Sequence, residues 1–232
     1  MPVVTISGMT ASGAREVGQR VAYLLGVDFV DQQLMVQAAQ RCGVPVGALA
    51  QRDERSATMK QRISSAFSTL LERSGSSGAD SLTGATGLES ILSQTYADMA
   101  NTEKETPVSD KLYAETMEKI IRELAASGKI VILGRGSQMI LRDLHSAVHA
   151  LCISPAEVRH QRLAEREEIG LEEARRRAVE TDQARDAFYR KFWKVDAEDA
   201  RLYHVTVETS RLGFDAAAEV VASAARLQAA AT

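Results

Sequence analysis

The chain is poor in the residues that build metal centres and disulfide frameworks. Its two cysteines, Cys42 and Cys152, are isolated, and neither a CxxC pair nor a Cys/His ligand spacing occurs. That excludes a zinc ribbon or a disulfide scaffold and fits a reduced, cytoplasmic setting. Four scattered histidines add no ligand cluster, so no residue is assigned to a metal. No apolar run reaches the length that crosses a bilayer, and the N-terminus runs straight into β-branched residues rather than a signal sequence. Positive charge is not in excess: 28 Lys and Arg against 31 Asp and Glu give a formal charge of -3. This argues against a nucleic-acid polymer as partner while leaving room for local basic pockets. No internal repeat is present.

One more absence falls in the most informative stretch, Val3–Gly18 (VVTISGMTASGAREVG). Val3, Val4 and Ile6 read as a strand, Gly8 opens a loop, and a helical pattern begins after Gly13. From Gly8 to Gly13 the spacing is G-x-x-x-x-G, the outline of a phosphate cradle. Backbone N–H groups turned inward, together with a helix N-terminus worth roughly +0.5 charge, suit an anion. A full P-loop continues with Lys and Ser/Thr; here Ala14 and Arg15 hold those places. Gly8, Thr10, Ser12, Gly13, Ala14 and Arg15 are the donor-phosphate candidates, against the plainer reading of an ordinary β–α turn.

Along the chain, Glu16–Leu25 reads as a helix closed by Gly26, Val27–Val30 as a second strand ended by Asp31, and Gln32–Arg41 as another helix. Residues 44–108 are helical and polar without a strong strand, and 74–87 (SGSSGADSLTGATG) is too small and polar to pack well, hence mobile. They form an insertion in a core made of 1–43 and 109–232. Ser109 or Asp110 caps a helix whose buried stripe is Tyr113, Met117, Ile120, Ile121 and Leu124. Ile130–Leu133 is a continuous apolar run, as a strand covered on both faces requires, and it leads into Gly134-Arg135-Gly136. Ala147–Ile153 is a further strand; Ser154 as N-cap and Pro155 as first helical residue open the next helix. Leu171–Phe192 is a charged helix, Tyr203–Val207 the last strand and Asp215–Leu227 the closing helix. Five strands, each leading into a helix, imply an α/β fold with a five-stranded parallel sheet flanked by helices. Ligands of such sheets lie beyond the carboxyl ends of the strands, at the switch point. The Ala-rich end (Ala216–Ala231) docks on the core or on a second subunit of a homo-oligomer.

Six segments in register resemble the cytidylate-kinase-like family of P-loop nucleoside monophosphate kinases: ISGMTASGAREVG, SDKLYAETMEKIIRELAASG, VILGRGSQMILRD, ISPAEVRHQRLAERE, EEARRRAVETDQARDAFYRKFW and TSRLG. The resemblance implies a nucleotide-kinase core with a helical monophosphate-binding insertion, and phosphoryl transfer from ATP to CMP or dCMP with Mg²⁺. Arg15 and Glu16 fit the G-S-G-G-R-E typical of this branch, whereas Gly8 and Ala14 depart from it. The rivals are a nucleotide-binding protein of the same fold with little or no activity, and a phosphotransferase with another small acceptor.

The arginines are the next candidates, because phosphoryl transfer needs positive charge around the moving group. Arg15 stands in for the missing lysine or is solvated in the first helical turn. Arg135, between Gly134 and Gly136, holds the acceptor phosphate or pairs with a carboxylate such as Asp143. Arg159, Arg162 and Arg166, at i, i+3 and i+7, line one face over the site. By resemblance, Asp182, Arg185 and Arg190 belong to a lid that closes on the phosphates, Asp182 holding the acceptor nucleotide or orienting Arg185. Arg190 has an i,i+4 alternative in Asp186. Glu172/Arg176 and Glu173/Arg177 are surface pairs, and Phe188, Tyr189, Phe192 and Trp193 are a packing cluster. Asp31 joins the site by position alone.

Overall fold

A computed structural model describes residues 2–32, 96, 110–126 and 128–231. Apart from Tyr96, the expected insertion 44–108 with its loop 74–87 lies outside the described residues, as does most of the expected helix Gln32–Arg41. The elements, in chain order, are β1 (Val3–Gly8), α1 (Ala14–Leu25), β2 (Asp28–Val30), α2 (Asp110–Ala126), β3 (Ile130–Leu133), α3 (Ser137–Ile140), β4 (Ala147–Ile153), α4 (Ala156–Glu167), α5 (Leu171–Trp193), a 3₁₀ turn (Ala200–Leu202), β5 (Val205–Glu208) and α6 (Thr209–Ala231).

The five strands form one parallel sheet in the order β2-β3-β1-β4-β5, with β1 at its centre. Alternation along each strand divides the core. Val3, Ile130, Ile132 and Ala147 face α2 and α5, whereas Val4, Ile6, Val131, Val148 and Ala150 face α1 and α6. Interior strands therefore bury both faces, which is why Ile130–Leu133 is apolar throughout. The stripe Tyr113, Met117, Ile120, Ile121 and Leu124 is buried on α2 as its 3.6-residue spacing requires.

The chain leaves β1 for β2 on one side and leaves β3 for β4 on the other, so the crossovers diverge between neighbouring β1 and β3. That divergence is the switch point. Helix α5 runs across its mouth. Its buried side chains are apolar at Ala174, Ala178, Phe188 and Tyr189 but polar at Asp182 and Arg185, where the helix meets β1 and the loop after it.

Several boundaries differ from the sequence reading, three of them for a physical reason visible in the structure. Pro155 is the N-cap of α4, not its first residue, because its ψ of 146° is extended. The last strand starts at Val205: His204 instead accepts a side-chain hydrogen bond at Nδ1 from the His149 N–H, and the Tyr203 hydroxyl donates to the Ala197 carbonyl. The closing helix begins at Thr209 and breaks at Gly213 before running on to Ala231. It buries Ala217, Ala218, Val221, Ala222 and Ala225 and packs on α1 of the same chain. Among the described residues, no helix is long and apolar enough to cross a membrane.

Candidate functional site

At the carboxyl ends of β1 and β3 lies a cleft of about 710 Å³, within the range of small-ligand sites. Residues 7–16 form one wall, Leu133, Gly134 and Arg135 another, and Asp31, Tyr96, Arg166, Thr181 and Arg185 complete it. The two glycine-bearing strand ends, distant in sequence, thus face one cavity. Four guanidinium side chains line it, from Arg15, Arg135, Arg166 and Arg185, against the carboxylates of Glu16 and Asp31. Such an excess of fixed positive charge suits a polyanion.

The loop after β1 is shaped by its own contacts. The Ser12 N–H donates to the Met9 carbonyl at 3.0 Å, closing a turn, and Ala11 and Gly13 adopt positive φ of 58° and 87°. Gly13 is required for two reasons: its φ suits glycine, and a Cβ there would stand 2.5 Å from the Phe214 ring. Helix α1 has Gly13 as its N-cap and no side-chain cap, and none of the described residues supplies one. Its first amides have no acceptor within the helix and lie at the cleft wall, as an anion site needs. Gly8 packs tightly beside Ser12 and the Cys152 carbonyl, and Ala14 is buried in the core beneath the loop.

Arg15 and Asp31, singled out separately in the sequence, are joined. Arg15 Nη1 lies 2.6 Å from Asp31 Oδ2; the arginine side chain is 46 % exposed and the aspartate 4 %. Arg135 is buried, with φ of 59° between two residues that also have positive φ. Its Nη1 donates to the Tyr113 hydroxyl at 3.0 Å and its backbone N–H to the Tyr96 hydroxyl at 3.1 Å. Burial raises the Tyr113 pKa, and the Arg135 charge opposes that rise. The alternative partner Asp143 lies instead at 3.8 Å from Arg142. Gly136 admits no side chain, since a Cβ would fall 2.1 Å from Trp193. The aromatic cluster packs as expected, Phe188 lying 4.8 Å from Phe192 and 5.4 Å from Trp193 between ring centroids.

Arg185 reaches the floor of the cleft. Its Nη2 donates to Ser7 Oγ at 2.9 Å, its guanidinium lies over the Tyr189 ring at 5.1 Å, and Nη1 is buried without an acceptor among the described residues. Arg190 does not join it. Five residues on, it points about 140° around the helix, is exposed, and is absent from the cleft lining. Asp182 does not orient Arg185: its two oxygens accept from the Thr10 N–H and from Arg159 Nη1. Of the expected row Arg159, Arg162 and Arg166, only Arg166 lines the cleft. Arg162 donates to Thr209 Oγ1 at 2.9 Å and lies over the Phe214 ring, and Thr209 Oγ1 donates to the Ser12 carbonyl at 2.7 Å. Glu173 pairs with Arg177 on the surface as expected, while Glu172 takes Arg175 and Arg176 pairs with Glu173 and Glu180.

Sequence reasoning missed Ser7, Tyr96, Tyr113 and Thr181. Tyr113 carried only a core signal, its place in the α2 stripe; the hydroxyl that meets Arg135 has no periodicity to betray it.

Residues 3–211 match the cytidylate kinase-like family. The chain belongs to that family. It is similar to a cytidylate kinase of Natronomonas pharaonis, 27 % identical over 169 residues, covering 67 % of this chain and 88 % of the relative. It is also similar to a cytidylate kinase of Methanopyrus kandleri, 33 % identical over 103 residues, covering 40 % and 53 %. Among solved structures, an uncharacterized protein from Eubacterium ventriosum superposes with a TM-score of 0.63 at 17 % identity, covering 97 % of this chain and 98 % of that one. The last likeness concerns the fold alone. In this cytidylate kinase-like chain, Ala14 remains where a standard P-loop has lysine.

Proposed function

We propose that this protein is a nucleoside monophosphate kinase, transferring the γ-phosphoryl group of ATP to CMP or dCMP. One observation carries the reading: loop 8–13 with the uncapped start of α1, and Arg135, flank a single cleft from adjacent strands. A donor phosphate chain on the first and an acceptor phosphate on the second would lie within reach of each other. The cytidylate kinase names of the archaeal relatives support the acceptor.

The acceptor phosphate oxygen would attack the γ-phosphorus as the bond to the β-bridging oxygen breaks, leaving ADP. Such transfer needs alignment and charge stabilisation more than covalent help. Backbone amides of the loop and α1 would hold the donor phosphates. Arg15, at the start of α1, would supply part of the charge that lysine gives elsewhere, and Arg135 would hold the acceptor through a planar fork suited to phosphate. Arg185, with a buried Nη1 that has no acceptor among the described residues, would meet the group in transit. Gly134 and Gly136 shape the turn that presents Arg135.

Among the described residues, no three metal-binding side chains cluster. A magnesium ion held mainly by phosphates and water needs only one or two carboxylates, and Glu16 and Asp31 line the cleft. When bound, Mg²⁺ would neutralise charge on the phosphates. Burial pushes the free Cys152 thiol up to about 12, which keeps it out of ready oxidation.

The test is ADP release from ATP and Mg²⁺ with CMP, dCMP, UMP, AMP or GMP as acceptor. Release highest with CMP and dCMP is expected. Nucleotide binding without release would favour the non-catalytic rival, and release with a non-nucleotide acceptor alone would favour the other.

A further inference from the structure

Thr10 lies in the middle of the proposed phosphate loop, and both of its backbone polar groups are tied to distant helices. Its N–H donates to Asp182 Oδ1 of α5 at 2.8 Å, and its carbonyl accepts from Arg159 Nη1 of α4 at 3.0 Å. The same Nη1 donates to Asp182 Oδ2 at 2.7 Å, which closes a ring of three hydrogen bonds around one loop residue. The paired side chains are only 8 % and 9 % exposed. Burying such a pair costs desolvation that well-packed apolar side chains would avoid, so fold stability alone is a weak reason for it.

The placement along α5 supplies another reason. One turn beyond Asp182 the helix carries Arg185, whose Nη2 donates to Ser7 Oγ, just before the loop. A single helix face therefore grips the chain at Ser7 and at Thr10. From the other side, Thr209 holds the Ser12 carbonyl. Between these anchors the chain passes through Ala11, whose φ is 58°.

We infer that Asp182 and Arg159 are positioning residues, which fix the backbone of the loop for a triphosphate and couple its shape to the placement of Arg185. The inference rests on the reading of the loop as the ATP site. It differs from a substrate-contact role for Asp182 in which ligand should suffer when the carboxylate is lost.

The experiment uses the full chain. Calorimetry with ATP and with inorganic tripolyphosphate, CMP KM, and hydrogen exchange at the Thr10 amide are compared between wild type and Asp182→Asn. The expected result is an ATP and tripolyphosphate Kd weakened roughly tenfold to a hundredfold, the scale of a hydrogen bond to a charged group. Thr10 exchange should accelerate and CMP KM stay near the wild-type value. Arg159→Lys, which keeps a charged donor, should retain more ATP affinity than Arg159→Met. Where Asp182→Asn does not fold, Arg159→Met with Asp182→Asn removes both charges together and carries the same test. Unchanged ATP affinity in the variants, or a raised CMP KM with unchanged ATP affinity, overturns the inference. A wild type that binds neither ATP nor tripolyphosphate overturns the ATP-site reading on which it rests, and is distinguished because the failure precedes any substitution.

Discussion

Arg15 Nη1 and Asp31 Oδ2 stand 2.6 Å apart, joining the first turn of α1 to the end of the edge strand β2. The pair holds a half-exposed guanidinium at the wall of the cleft, next to the position where a standard P-loop carries its lysine. A charge that stabilises transferring phosphates is worth roughly 10²–10³ in rate. Arg15→Ala is therefore expected to lower kcat/KM for ATP by that order, measured at saturating CMP. Because Asp31 is only 4 % exposed and loses its guanidinium partner, a fall in melting temperature should accompany the rate loss. Arg15→Lys should recover only part of the rate, since a point charge does not reproduce the forked contact.

Arg135 should separate donor from acceptor. Arg135→Ala is expected to raise CMP KM or lower kcat by about 10²–10³ while ATP Kd measured by calorimetry stays nearly constant. Tyr113→Phe removes only the hydroxyl that meets Arg135 at 3.0 Å. Its cost to stability should be about 1 kcal/mol, seen in denaturant unfolding, with a smaller rise in CMP KM.

Gly13 and Phe214 test whether the loop is shaped by packing. A Cβ at Gly13 would press on the ring at 2.5 Å, and its φ of 87° disfavours any side chain. Gly13→Ala is expected to destabilise by roughly 1–3 kcal/mol. Combining it with Phe214→Ala should relieve the contact part but leave the backbone part. Unfolding free energies of the two single variants and the double variant should thus be non-additive.

His149 sets a pH limit on stability. It is buried on β4, with Nδ1 at 2.8 Å from Thr5 Oγ1 and its ring stacked 4.9 Å from His204. Burial first, and then the His204 charge, lower its pKa from 6.5 to about 4. The folded state therefore takes up its proton later than the unfolded chain. Its contribution is intact above pH 6.5 and is lost as pH falls from there towards 4. Between pH 7 and pH 5 the loss should be about 2 kcal/mol, read from denaturant midpoints. A His149→Val variant should show a flatter profile over that interval, and an equally steep one would assign the acid sensitivity to other groups.

Much of the scaffold was legible because its physics is local. The stripe on α2, the two-sided burial of Ile130–Leu133 and the glycines at both strand ends all write themselves into spacing. Counting strand–helix alternations implied a parallel sheet but not its order; the pairing of β1 with β3, which makes two distant glycine loops one site, is seen only in the structure. What was not legible depends on contacts between residues far apart in sequence. Thr10 and Asp182 are 172 positions apart, and nothing in a helix pattern distinguishes a carboxylate that braces a loop from one that faces a ligand. Arg190, exposed and away from the cleft lining, was less legible for a simpler reason, since a motif places residues on a helix but not around it. The start of β5 slipped because Tyr203 and His204 look like strand residues yet spend hydrogen-bonding groups on Ala197 and His149.

The central claim is that a phosphoryl group passes from a donor on loop 8–13 to an acceptor on Arg135. Its most direct test follows radiolabel from γ-labelled ATP into CMP, with wild type and Arg135→Ala side by side under identical ATP and Mg²⁺. Labelled CDP formed by wild type and strongly reduced in Arg135→Ala is the expected result. Wild-type protein that binds ATP yet forms no labelled CDP, or Arg135→Ala that forms it at the wild-type rate, would contradict the claim.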